Sequence, residues 1–397
     1  MSDPAAVVVF HGTFIDPAAA AAREGWLHVA GGRIVALEGD PPAAGGEVVE
    51  LDGWVIPGLI DAHIHLSLDG GTDPSARLLA ESPTDTVVRA LDHLRAHLRA
   101  GITTVRDLGG PGNLAIDLAR AVEDGRVLGP AVVACGRNIT MTGGHAHTFG
   151  IEADGPDAVR RAARGQLRAG ARVLKFMATG GVLTPGVTAG AEALTEAELR
   201  AGIEEAHKAG KRTATHAQGL AGIKNALRAG IDTLEHGAFD AWDDEALGIM
   251  TSGPRPVWLV PTLAAPDGIL AGEGRVPAWA VAKTRPIAER HRANAFEAYR
   301  AGVRIAAGTD AGTPLNPHGN LPRELELLAD IGLPPAAVLQ AATSQAAAAL
   351  DLVGEVGTLQ AGARADLVVL GADPLRDPKA YRTVRDVFKG GRRPAFG

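Results

Sequence analysis

The stretch IPGLIDAHIHLSL places two histidines, His63 and His65, one residue apart at the end of an apolar run. Residues i and i+2 of a strand share a face, and their Cα atoms lie roughly 6.5–7 Å apart. Two imidazoles at that spacing can converge on one cation, or they can be two hydrogen-bonded histidines at a strand end. Residues elsewhere weigh on the choice, because they stand in the same position after other apolar runs. Arg106 and Asp107 end ITTVRD, and Asn138 ends PAVVACGRN. Lys175 stands in ARVLKFMA, His216 in RTATHA, His236 in DTLEHG, Thr262 in PVWLVPTL and Asp310 in VRIAAGTD. Imidazole and carboxylate are the ligand types for zinc or a similar divalent ion. Four histidines, Lys175 and Asp310 at one rim are hard to explain as packing and point to a metal site.

Lys175 is the unusual member, since a buried ammonium beside cations is unfavourable. One reading is a salt bridge to Asp310. The other is that its amine, made neutral by burial, takes up CO2. The resulting carbamate is a carboxylate able to bridge two ions, and lysine's readily shifted pKa suits it to this.

The elements that must position these residues follow a repeat. An amphipathic stretch ends in Ala-Gly and a β-branched run follows, in HLRAGITTV, QLRAGARVL, HKAGKRTAT, ALRAGIDTL and YRAGVRIAA. Glycine after a helix is the left-handed stop, so Gly101, Gly170, Gly210, Gly230 and Gly302 mark helix-to-strand joints. TDTVVRALDHLRAHLRAG reads as a helix, and LTEAELRAGIEEAHKAG opens with a capping-box pattern, Thr195 and Glu198. Eight strands alternating with helices predict an α/β fold of the (β/α)8 TIM-barrel type over residues 57–352. An open doubly wound sheet is the competing fold, but no GxGxxG or Walker sequence supports it. Residues 1–56 and 353–397 read as short strands and turns, which predicts a small β-sandwich domain built from both termini. PPAAGG is read as a loop.

The bulk properties narrow the class. The chain has 397 residues, of which 46% are apolar, enough for a large core. Net charge is -7 with no basic block, which argues against nucleic acid or an anionic membrane as partner. Cys135 is the only cysteine, so neither an internal disulfide nor a cysteine zinc site is available. No apolar run approaches ~20 residues, and MSDPAAVVVF lacks a basic leader. The expectation is a cytoplasmic protein acting on a small molecule, with a homo-oligomer open.

DAHIHL, the strand-end Lys175, THAQG, LEHG and GTDAG, in this order, resemble the amidohydrolase superfamily, as does the ending GTLQAGARADLVVLGADPL. The motifs TGGHAHTFG, MATGGVLTPG and GTDAGTPLNPHG are most similar to the branch of imidazolonepropionase-like hydrolases and metal-dependent Xaa-Pro or Xaa-Arg dipeptidases. The resemblance implies two zinc ions. His63, His65 and Asp310 would hold one, His216 and His236 the other, and an N6-carboxylated Lys175 would bridge them. Dipeptidases of the branch often carry a tyrosine where Gln218 stands, so other amides, carbamates and lactams stay open.

On this ligand set, a water between two cations becomes a nucleophile near neutral pH. Asp310 is the candidate general base, and His145 a candidate donor to the carbonyl oxygen or to a substrate carboxylate. Two Gly- and Pro-rich loops, residues 67–83 and 179–193, are read as shaping the pocket. Gly180 and Gly181 with Thr179 can offer N–H groups to an anion. Arg106, Gln218 and His318 are further substrate-binding candidates, and Arg106 can equally pair with a structural Asp. A deaminase is the rival enzyme. Such relatives usually use one metal and carry a glutamate where Gly219 stands. A structural relative without metals is the non-enzyme rival.

Overall fold

A computed structural model describes residues 7–41 and 47–396; most of the PPAAGG stretch lies outside the described residues. All eight expected strands are present. They are Leu59–Ile64, Ile102–Asp107, Ala131–Ala134, Val173–Met177, Arg212–Ala217, Thr233–His236, Trp258–Val260 and Arg304–Ile305. The first three form one parallel sheet. The other five run parallel in register order with two further short segments, Ile139–Thr140 and Ile151–Glu152. Main-chain hydrogen bonds join the two sheets at both margins. Arg172 N–H donates to the Ala134 carbonyl at 2.9 Å, and Ala62 N–H to the Ala307 carbonyl at 2.9 Å.

The third strand is shorter than PAVVACGRN suggested. Gly136 adopts φ 73°, which breaks the ladder between Ala134 and Ile139. A Cβ there would sit 2.3 Å from the Gln166 side chain, so the bend requires glycine. The five joint glycines behave as expected, with φ from 65° at Gly210 to 105° at Gly170.

The helices follow from local signals. Pro83–Arg99 is capped by Ser82, whose hydroxyl accepts from Asp85 N–H, with Pro83 in the first turn. Its Ala90, Leu94 and Leu98 are buried. Truncating a buried leucine such as Leu94 to alanine costs about 2–5 kcal/mol. The Thr195–Glu198 capping box opens Glu196–Lys208, with both reciprocal bonds formed. One helix inside a segment read as loop escaped the sequence reading. The loop 67–83 contains a helix, Pro74–Ala80, capped by Asp73, too short to show a period.

The chain ends form one six-stranded sheet, in the order Val384–Phe388, Leu367–Leu370, Glu47–Pro57, Val8–Asp16, Ala21–Ala30 and Arg33–Glu38. Its core contains Phe10, Phe14, Leu27, Val55, Leu367 and Phe388. Strand Glu47–Pro57 leads through Gly58 directly into Leu59–Ile64, so the terminal sheet fixes the start of the strand that carries the paired histidines.

Candidate metal centre and active site

Strand ends gather the expected residues, and the backbone is strained where they gather. His236 (φ 70°), Thr262 (φ 53°) and Asp310 (φ 59°) all lie in the left-handed region although none is glycine. Each stands at or beyond the end of one of three successive strands. Such conformations cost of order 1–3 kcal/mol each and concentrate at functional sites. The turn at His236 also has a local consequence. Glu235 and His236 are adjacent and would face opposite sides of a regular strand, yet both side chains contact the same cluster.

Each of the four histidines has one ring nitrogen tied to the protein. His63 Nδ1 bonds Glu235 Oε2 at 2.9 Å, and His65 Nδ1 the Gly109 carbonyl at 2.8 Å. His236 Nδ1 bonds Thr262 Oγ1 at 2.7 Å, and His216 Nε2 the Gly180 carbonyl at 3.3 Å. The Thr262 hydroxyl itself donates to the Pro261 carbonyl, so it must accept from His236 and thereby fixes that tautomer. The other nitrogens are left for one another's neighbourhood. His65 Nε2 and His63 Nε2 lie 3.2 and 3.4 Å from Asp310 Oδ1. Ligand atoms of His63, His236 and Asp310 lie within 4.8 Å of one another. His216 stacks edge-on to His236 with centroids 4.5 Å apart.

Burial, then the charges of Lys175 and neighbouring rings, holds His63 well below the ordinary histidine value. Burial is the largest influence on His216 and His236 too, and both are lowered. At His65 burial opposes the charge, but hydrogen bonding and attraction from Asp310 outweigh it and raise the ring. Burial brings Lys175 down to about 8, against the pull of Glu235 and Asp310. Its Nζ is buried and has no hydrogen-bond partner. The alternative reading, a salt bridge to Asp310, is not met.

Glu235 was missed by the sequence reading. It is buried and holds both His63 Nδ1 and the Arg106 guanidinium, the latter at 2.9 Å. The available signal was an acid inside an apolar run, in DTLEHG. Arg106 is accordingly corrected. It is buried beneath the site, donating to Glu235, to Thr233 Oγ1 at 2.9 Å and to the Ala62 carbonyl at 2.6 Å, so it holds the floor and does not reach substrate.

The remaining candidates divide. His145 joins the site: its ring lies 4.2 Å from that of His216, and its Nδ1 is 2.6 Å from Thr184 Oγ1. Burial lowers it to about 3, so it is neutral. Gly180 is corrected, because its N–H donates to the Ala191 carbonyl at 2.8 Å and is not free for an anion. Gly181 makes room for His145, since a Cβ would fall 2.6 Å from that ring. Gln218 lines a small inner chamber of about 40 Å³ behind the cluster, shared with His145, His216, His236 and Asp310, and its Oε1 is buried without a partner. His318 is corrected. It faces helix Pro83–Arg99, bonded to His97 and to the Leu68 carbonyl.

The cluster forms the floor of a cavity of about 370 Å³. Its wall includes Pro74, Ser75, Ala76 and Leu79 from the first loop and Leu183, Thr184 and Pro185 from the second, so both expected loops do shape the pocket.

Residues 54–393 match the model described as Amidohydrolase family. The chain belongs to the amidohydrolase family. It is 32% identical over 375 residues to ochratoxinase of Aspergillus niger, covering 85% of this chain and 75% of that one. A crystal structure of a Xaa-Pro dipeptidase with bound methionine superposes with TM-score 0.90 at 28% identity, covering 98% of this chain and 100% of that one. A prolidase complexed with N-methylphosphonate-L-proline gives TM-score 0.89 at 28% identity, with the same coverage. The chain is thus a hydrolase acting on carbon–nitrogen bonds. Amidohydrolases are typically metal-dependent, and the residues fit such an ion: anchored imidazoles surround Asp310, and the buried Lys175 amine has no acceptor.

Proposed function

We propose that this protein is a binuclear metal-dependent amidohydrolase that cleaves an amide-type bond of a small molecule. The observation that carries the reading is the anchoring of all four histidines, each by one ring nitrogen. A hydrogen-bonded partner on one nitrogen is what orients a ligating histidine and fixes its tautomer. His63, His65 and Asp310 would hold one zinc ion, His216 and His236 the second, with Lys175 N6-carboxylated between them. The group of His63, His236 and Asp310, whose ligand atoms lie within 4.8 Å of one another, crosses that division, as expected if the two sites adjoin. Carboxylation joins the Lys175 nitrogen to CO2 and releases one proton. It turns an amine that has no acceptor into an anion among imidazoles.

When bound, the ions supply Lewis acidity toward the scissile carbonyl and bring the pKa of water down toward ~7. Asp310 takes a proton from the attacking water and returns it to the leaving nitrogen. His145, neutral and braced by Thr184, donates a hydrogen bond to the carbonyl oxygen. Glu235 keeps His63 in one orientation, and Arg106 holds Glu235. The walls of the cavity exclude bulk water around the scissile group.

The reading extends to the frame. The eight strands would close as a barrel over residues 57–352, since hydrogen bonds cross both margins. Residues 1–56 and 353–397 would make a separate β-sandwich unit. Cytoplasmic action without nucleic acid or membrane partners suits the single buried thiol, Cys135, and the lack of a helix long and apolar enough to cross a membrane among the described residues. A homo-oligomer is compatible with it. The relatives named for Xaa-Pro dipeptidase, prolidase and ochratoxinase activity support an amide substrate, a peptide, an N-acyl amino acid or a related amide, with carbamates and lactones as the alternative. Elemental analysis of active protein should give two divalent ions per chain, with hydrolysis lost to a chelator and restored by zinc. One ion per chain would reject the binuclear reading.

A further inference from the structure

Building on the hydrolase reading above, we propose that the site takes amides that are apolar and uncharged on both sides of the scissile bond, and that it selects against a free carboxylate on the amine half. The cavity mouth carries two large apolar side chains that remain open to solvent, Leu79 at 66% and Trp279 at 39% exposure. They come from helices about 200 residues apart, Pro74–Ala80 and Ala278–Arg300, and line one cavity together with Phe149 and Leu183. An exposed apolar surface lining a concave site is a binding surface.

Charge makes the second half of the argument. Among the described residues lining this cavity, the ionisable groups other than histidines are Asp73, Lys175 and Asp310. Lys175 lies within the ligand cluster, and no arginine or tyrosine lines the wall. The neighbouring cations are already committed. Lys283 donates to the Thr184 and Val187 carbonyls, both at 2.6 Å, and lies over the Trp279 ring. Arg77 is held by Asp69 at 2.8 Å and Glu81 at 2.5 Å. Arg106 is held by Glu235 below the floor. The two rim-loop histidines are anchored as well, His145 by Thr184 and His147 by the Gly144 carbonyl at 2.9 Å. Asp73, capping the rim helix through Ala76 N–H at 3.1 Å, adds a negative charge to the same wall. A carboxylate entering this cavity gives up water and gains no cationic side chain in exchange. A dipeptide carries such a carboxylate on every amine half, and a neutral aryl or alkyl amide does not.

The test compares two substrates that differ by one carboxylate: the 2-naphthoyl amides of phenethylamine and of phenylalanine. With zinc-loaded full-length protein, kcat/KM for the neutral amide should exceed that for the acid by about tenfold, the order expected for a charge left unpaired in a desolvated site. A ratio of one or less overturns the proposal. Calorimetric titration of the same two compounds supplies an arm independent of turnover. If neither amide is cleaved, the hydrolase reading fails, and the present proposal still stands or falls on whether the neutral amide binds more tightly than the acid. Binding of neither, or tighter binding of the acid, overturns it. Trp279→Ala should weaken binding of the neutral naphthoyl amide several-fold, and unchanged affinity removes Trp279 from the substrate surface.

Discussion

Two buried clusters of histidine lie close together in this molecule and do opposite things with their nitrogens. In the cluster of His63, His65, His216 and His236, each ring is tied by one nitrogen and leaves the other near Asp310, Lys175 or a neighbouring ring. In the cluster of His93, His97 and His318, the nitrogens are used as braces. His93 Nδ1 donates to the Leu66 carbonyl at 3.0 Å, and His318 Nε2 to the Leu68 carbonyl at 2.9 Å. His97 Nε2 meets His318 Nδ1 at 3.0 Å, and the rings of His93 and His318 stack at 3.9 Å. The braced carbonyls belong to the loop just after His65. On the proposed reading, a group of imidazoles serves as a ligand set when the anchored nitrogens face outward and the free ones share a centre. Otherwise it is a clamp.

The largest effect expected is at Lys175, the residue that has no counterpart in the clamp. If the proposed binuclear centre exists, Lys175→Ala should lose both ions and lower kcat/KM by more than ~10³-fold, because the ions' chemistry leaves with them. A short carboxylic acid in solution should restore part of the metal and the turnover by occupying the vacated bridge. Unchanged turnover with unchanged metal content would show that Lys175 is no more part of a ligand set than His97 is.

Asp310→Asn comes next. The amide keeps size and one acceptor oxygen but cannot carry the proton, so kcat should fall about 10²–10⁴-fold with KM little changed. Much of the metal should remain. If Asp310 is purely structural, kcat survives while the melting temperature drops.

Glu235→Gln probes the anchor itself. Its expected cost is about 10–100-fold in metal affinity, measured by zinc titration against a competing chelator. Unchanged affinity would mean that orientation of His63 comes from packing alone, and the contrast between the clusters would lose one of its supports.

The six ligand candidates and all eight strands could be read from the sequence because each depends on local pattern: an apolar run, a polar end, a glycine joint. Glu235 and the clamp could not be read that way. Glu235 shares the inward face with Thr233, from whose hydroxyl it accepts, and the left-handed turn at His236 brings the motif histidine to that same side, which no periodicity reveals. His318 stands in NPHG, a motif that continues GTDAG, and motif continuity placed it in the pocket. Its actual partners, His97 and Leu68, are 221 and 250 residues away. Arg106 occupies a strand end like the ligands do, but its length carries the guanidinium sideways to Glu235, beneath the floor. The Gly180 N–H is consumed by Ala191 through the fold of the second loop on itself. In each case the misreading concerns direction, which depends on tertiary partners.

The smallest effect sharpens the comparison from the clamp's side. Burial, with the nearby His93 ring, pushes His97 down to about 3, while an unfolded histidine titrates near ~6.5. Between those values the unfolded chain holds a proton that the folded chain lacks, so stability from this group is complete above ~6.5 and declines as pH falls toward 3. The slope is about 1.4 kcal/mol per pH unit for one such group. In His97→Leu that proton is gone from both states. The variant should be destabilised at pH 8 by about 1–3 kcal/mol, because His318 Nδ1 loses its donor in a buried place. On lowering the pH to 5, wild type should lose about 2 kcal/mol that the variant does not, so the two stability curves converge. The four site histidines titrate in both proteins and cancel in the difference, whereas His318, which His97 also holds low, shifts in the same sense and adds to the convergence. Urea unfolding at pH 8, 6.5 and 5 measures it. Parallel curves would mean that His97 is not held neutral by the clamp. Turnover at pH 8 supplies the other half of the test: kcat should stay within a few-fold of wild type, and a larger fall would make the clamp part of the machinery that positions His65.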